Sequence, residues 1–284
     1  MLCRRPDWCW PLLVGLLGWS AVAVTRADPG FTSDEPFTVL YGKDYVTRLC
    51  DQGRGFFTPV SINETFATRS EHPPLGRWIT GWVHWLLDPQ PKDSEYIDIR
   101  SARMAPATMF ALMLVFLTRV VARQHGKVAG VAAGVSLILM PRVFADAHFA
   151  ALDTAMSCTY FLGVLSAAWM MERRLVWAPF AGILLGCALL TKMHGVFLFP
   201  LIAVWALVFY RLRGVPALAL WAAVGVVIFL AGWQWLWNDV AVFWTQLTAG
   251  KLFVSGGLAR LPQIFARLSA YLGSSMDRQA IYVT

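Results

Sequence analysis

Apolar residues in this chain come in long runs, near positions 10–24, 104–121, 128–141, 155–171, 175–191, 195–210 and 215–236, and charges gather in the gaps between them. Each run approaches the ~20 residues that carry a helix across a hydrocarbon core. None alternates in polarity as a barrel strand does. The pattern predicts an all-α integral membrane protein built as a multispan helical bundle. One apolar segment is different, the part of "EHPPLGRWITGWVHWLL" from Leu75 to Leu87. At ~1.5 Å per residue it reaches only ~20 Å, short of the ~30 Å core. Trp78, Trp82 and Trp85 recur at three- and four-residue spacing, which places indole rings on one helical face, and indoles favour the headgroup level. The segment is therefore expected to lie on the outer surface.

Charge decides the rest of the topology. Arg119, Arg123 and Lys127, then Arg173 and Arg174, then Arg211 and Arg213, together with Arg4 and Arg5, flank the runs. All four clusters fall on the cytoplasmic side only if residues 75–87 do not cross. The expected organisation is a first transmembrane helix (1–25), a large external loop with juxtamembrane helices (26–102), six further transmembrane helices (103–237) and an external segment (238–284), this last expected to be a truncated piece of a longer chain. The first run is read as an uncleaved signal-anchor, with a signal peptide ending near Ala27 as the alternative.

Composition agrees: 57% of residues are hydrophobic, 14% are charged, and mean hydropathy is +0.55. The net charge of +7 sits at span edges and forms no solvated basic domain, so nucleic acid is not an expected partner. Three of the five cysteines (Cys9, Cys158, Cys187) lie in spans, without disulfide or metal-type spacing.

Candidate chemistry concentrates where the external loop meets the span ends. In "FTSDEPFTVLYGKDYVTRL", Thr32 or Ser33 can cap a helix whose first turn carries Asp34, Glu35 and Pro36. Those acids either complement the helix dipole or do chemistry. In "MPRVFADAHFAALDTAM", Asp146, His148 and Asp153 gather at the edge of a span, where ionisable groups are functional candidates, although Asp146 and His148 also suit a turn. In "TKMHG", Lys192 and His194 face the same side. Arg100, Arg103 and Lys192 stand where a lipid phosphate would lie, and the alternative for Lys192 is snorkelling. Asp34, Asp153 and His72 are oxygen and nitrogen ligands able to take a divalent cation, and Asp34 and Asp153 are expected within ~5 Å of each other. His84 and His125 are read as structural, without a visible partner. Asn63 opens a glycosylation sequon.

Taken in order, Asp34 with Glu35, "HPPL" at 72–75, the Arg-led "RSARMAP", Asp153 opening a span and "LLTK" at 189–192 resemble glycosyltransferase family 39, the GT-C class that holds protein O-mannosyltransferases and lipid A aminoarabinose transferases. The resemblance covers the chain from the first span to Trp237. It implies an inverting transferase that takes a sugar from a polyprenyl-phosphate donor on the non-cytoplasmic face and gives it to a protein or glycolipid acceptor, in a bacterial inner membrane. Carried over residue by residue, it makes Asp34, Glu35 and Asp153 the catalytic acids and makes Arg103, Arg100 and Lys192 the donor-phosphate ligands. A divalent metal is possible at Asp34, Asp153 and His72, and no nucleotide cofactor is implied. A departing phosphate needs cationic support and an incoming hydroxyl needs a carboxylate, so the residue types suit the reaction. The rivals are a multispan lipid or solute transporter and a non-catalytic assembly protein. Against a transporter, the chain shows neither repeated halves nor broken midplane helices.

Overall fold

A computed structural model describes residues 8–66, 72–88, 97–173 and 175–237. The expected external segment 238–284, with Arg4, Arg5 and Arg174, lies outside them. Each of the seven apolar runs forms a helix: α1 (Cys9–Thr25), α6 (Met104–His125), α7 (Lys127–Ile138), α9 (Leu152–Arg173), α10 (Ala178–Thr191), α11 (Leu198–Tyr210) and α12 (Val215–Gly232). Between the first two lie α2 (Asp34–Gln52), α3 (Pro59–Phe66), α4 (Leu75–Leu87) and the single turn α5 (Ile99–Ala102); α8 (Pro141–Asp146) precedes α9. Among the described residues there is no strand.

Three helical stretches are long and apolar enough to cross a bilayer: Ile99–His125, Leu152–Glu172 and Met193–Gly232. The last has 40 residues, and at ~1.5 Å per residue a straight helix of that length would reach about twice the thickness of the core. It breaks instead at Arg211, whose φ of 53° no helix accommodates, into α11 and α12. Cys9–Thr25, Lys127–Ile138 and Leu175–Thr191 are shorter apolar helices.

Glycines set the helix packing. Gly15 and Gly18 of α1 press on Val115 and Leu114 of α6, and Gly130 and Gly134 of α7 press on Ala122 and Thr118. On the other side, Gly182 and Gly186 of α10 meet Trp221, Val224 and Ile228 of α12. In lipid, where water supplies no drive between helices, such small residues allow the close approach that dispersion requires. The two sub-bundles join where Met109 and Met113 of α6 pack on Ala155 and Cys158 of α9.

α4 has the predicted bounds, but its orientation differs from the expected one. The buried face carries Gly76, Arg77, Thr80, Gly81 and His84, while Trp82, Leu86 and Leu87 are exposed. The tryptophan stripe is split: Trp78 turns into an aromatic cluster with Tyr45, Phe56 and Phe66, and Trp82 stacks edge-on with Trp85. The polar groups face inward because α2 offers them partners. Arg77 lies over the Tyr41 ring at 4.8 Å and donates to Tyr45 Oη at 3.5 Å, and a Cβ on Gly81 would strike the Gly42 carbonyl. His84, expected to have no partner, stands with Nε2 3.3 Å from Asp88 Oδ2, both side chains buried. Gly76 rests on Leu152 and Thr191, so α4 lies over the meeting ends of α9 and α10.

Candidate active site

One end of the bundle collects the end of α1, the starts of α6 and α9, and the end of α10. Thr25 Oγ1 is 2.7 Å from His148 Nε2, and His148 Nδ1 is 2.7 Å from the Phe144 carbonyl. His148 thereby ties α1 to the loop before α9, a structural role. Asp146 pairs with Arg142 at 3.0 Å, and its carbonyl accepts from Thr154 Oγ1 at 2.8 Å. At the opposite end, Arg119 lies 5.0 Å from the Trp8 ring, which brings the start of α1 to the basic end of α6.

The first turn of α2 carries the acidic pair, and its two members have different fates. Asp34 is exposed, and Ser33 Oγ donates to its Oδ1 at 3.4 Å. Ser33 stands at the N-cap position but caps no backbone N–H with its side chain. Glu35 is fully buried. Arg103 Nε donates to its Oε1 and Arg103 Nη2 to its Oε2, both at 2.8 Å, the two-pronged geometry that suits guanidinium and carboxylate. The Ala150 N–H donates to Oε1 at 2.8 Å and the Thr32 N–H to Oε2 at 3.2 Å. The bond from Ala150 joins the start of α2 to the segment leading into α9, across 115 residues of sequence.

Arg103 also donates through Nη1 to the carbonyls of Arg26 (2.7 Å) and Pro29 (3.0 Å), and through Nη2 to that of Gly30 (2.7 Å). The Phe149 ring lies 5.5 Å from its guanidinium carbon. An arginine has five N–H groups, and here each has an acceptor within the chain. Arg103, expected to face a donor phosphate, has a buried side chain whose donors are engaged by Glu35 and the 26–30 carbonyls.

Lys192 follows α10 in extended backbone, and its Nζ reaches Asp153 Oδ1 in the first turn of α9 at 3.0 Å. This pair is open, with side chains 17% and 54% exposed. Arg100 is exposed on α5, whose first turn is capped by Asp98 accepting the N–H groups of Arg100 and Ser101. His72 is half-buried at the entry to α4. Among the described residues no three His, Cys, Asp or Glu side chains gather to hold a metal ion, so Asp34, Asp153 and His72 do not form the expected ligand set. Each acid has a different neighbour instead, Ser33 for Asp34 and Lys192 for Asp153. The clamp on Glu35 was hidden from sequence reasoning. An acid in the first turn of a helix and an Arg at a span start were both visible, but the burial of Glu35 was not, and nothing in linear order pairs positions 35 and 103.

What emerges is an exposed carboxylate and an open lysine–carboxylate pair on segments held together by a sealed ion pair, all at one end of an apolar bundle. No curated protein matches the chain, and no solved structure does. Residues 71–237, more than half of the chain, match the family described as dolichyl-phosphate-mannose-protein mannosyltransferase, from the loop that enters α4 to the end of the described residues. The chain belongs to that family of GT-C membrane glycosyltransferases.

Proposed function

We propose that the chain transfers a sugar from a polyprenyl-phosphate donor to a hydroxyl acceptor on the non-cytoplasmic face, at the rim shared by Asp34, Asp153 and Lys192. The observation that supports this reading is the Ala150 N–H bond to Glu35, which ties the residue next to the exposed Asp34 to the segment that leads into Asp153. Asp34 accepts the proton of the attacking hydroxyl. The oxygen bonds to the sugar's anomeric carbon as the bond from that carbon to the phosphate oxygen breaks, with inversion. The phosphate leaves as an anion, supported by the Lys192 ammonium as it exchanges Asp153 for phosphate, and by Arg100. The donor's tail has a path as well. An apolar groove of about 630 Å³ between α9 and α11, lined by Tyr160, Phe197, Leu201, Val204, Trp205 and Phe209, starts five residues after Lys192.

The test uses the full chain in proteoliposomes with radiolabelled polyprenyl-phosphate sugars and hydroxyl acceptors. Wild type is expected to transfer label, and Asp34→Asn to reduce the rate by about 10²–10⁴-fold, the usual contribution of a general base. Full turnover by Asp34→Asn would remove Asp34 from the chemistry. Movement of the intact donor across the bilayer without transfer would favour the transporter.

A further inference from the structure

We infer that Glu35 and Arg103 are positioning residues that lock Asp34 in place, neither a base nor a donor-phosphate ligand; the inference rests on the transfer reading above. The reason is stoichiometric. An ionised carboxylate offers about four acceptor sites and a guanidinium five donors. Glu35 accepts four hydrogen bonds, two from Arg103 and one each from the Ala150 and Thr32 N–H groups. Arg103 gives five, two to Glu35 and three to the carbonyls of Arg26, Pro29 and Gly30. No acceptor site is left for a substrate hydroxyl, and no donor is left for a phosphate oxygen, without dismantling the knot.

The knot gathers four pieces of chain: residues 26–30, the first turn of α2, the start of α6, and Ala150 before α9. Asp34 precedes Glu35, so its Cα is held ~3.8 Å from a fully buried anchor. The first turn of α2 has no side-chain cap of its own, and Ser33 gives Asp34 one long bond. The clamp therefore supplies the rigidity that the exposed carboxylate lacks. Small errors of placement are costly in catalysis, about 10²-fold for 1 Å. The clamp should accordingly act on turnover and leave donor affinity nearly untouched.

The experiment places a nitroxide on Gly30→Cys in the full chain, after replacement of the native cysteines. That position is surrounded by open space, while its carbonyl is held by Arg103. Arg103→Lys keeps the charge but offers three donors at one point instead of a planar fork. In proteoliposomes it is expected to increase the label's mobility and to lower kcat by about 10²-fold, with donor KM within about threefold of the parent. Glu35→Gln, which keeps the shape and one acceptor oxygen, is expected to fall between parent and Arg103→Lys in both readouts, and it carries the test if Arg103→Lys does not fold. A label that stays immobile in both variants overturns the clamp. So does a tenfold rise in donor KM with kcat unchanged, the mark of a phosphate ligand. If the label is released while the parent transfers no sugar from any polyprenyl-phosphate donor, the transfer reading fails and the clamp stands.

Discussion

Two carboxylate–cation pairs stand at the same rim of this molecule, and they are built in opposite ways. Glu35 and Arg103 are sealed, with side chains 0% and 3% exposed and their hydrogen-bonding capacity filled. Asp153 and Lys192 are open, joined by one bond of 3.0 Å, with exposures of 54% and 17%. Chemical type alone would make either pair a phosphate site or a metal site. Burial and bond count separate them: the sealed pair cannot take on a ligand, while the open one can exchange an internal partner for an external anion at little cost.

Breaking the sealed pair should have the largest effect. Glu35→Ala leaves a buried guanidinium without its counter-charge and is expected to destabilise the protein by about 3–5 kcal/mol. Thermal or denaturant unfolding in detergent checks this, and a loss under ~1 kcal/mol would show the pair to be a surface-like contact. Next in size is the seam that carries α2 on α4. Gly81→Val would drive a side chain into the Gly42 backbone, and overpacking of this kind costs about 1–3 kcal/mol. The same unfolding measurement applies, and Gly30→Val, with open space around it, is the control expected to cost less.

Lys192→Met sharpens the open side of the comparison. Loss of a charged hydrogen bond worth about 1.5–3 kcal/mol should raise donor KM roughly tenfold or more, measured by titrating polyprenyl-phosphate sugar. An unchanged KM would move the phosphate away from Lys192. The smallest effect is expected for the stability of Asp153→Asn. A half-exposed pair is screened by water, so its loss should cost under about 1 kcal/mol, several times less than Glu35→Ala.

Much of the fold was legible in the chain because length and polarity settle it. The thirteen residues from Leu75 to Leu87 cannot span a core, and α4 occupies those bounds. The orientation of α4 was not legible, because inward polar groups need partners brought by folding, such as Tyr41 and Tyr45 of α2 for Arg77. Among the site residues, the sequence placed Asp153 and Lys192 on one side, and the structure pairs them. Arg103 was read as a phosphate ligand because an arginine at a span start suits one; its five internal acceptors come from segments that linear order leaves apart.

By itself the amino-acid sequence determined that this protein is a bundle of apolar helices with its charges in the gaps between the apolar runs, since hydrophobic burial depends on runs of residue type that are local in the chain. Only the tertiary structure decided which ionic groups are spent on holding the rim together and which remain open. That outcome depends on counting donors against acceptors, and the acceptors for Arg103 lie 68 to 77 positions away.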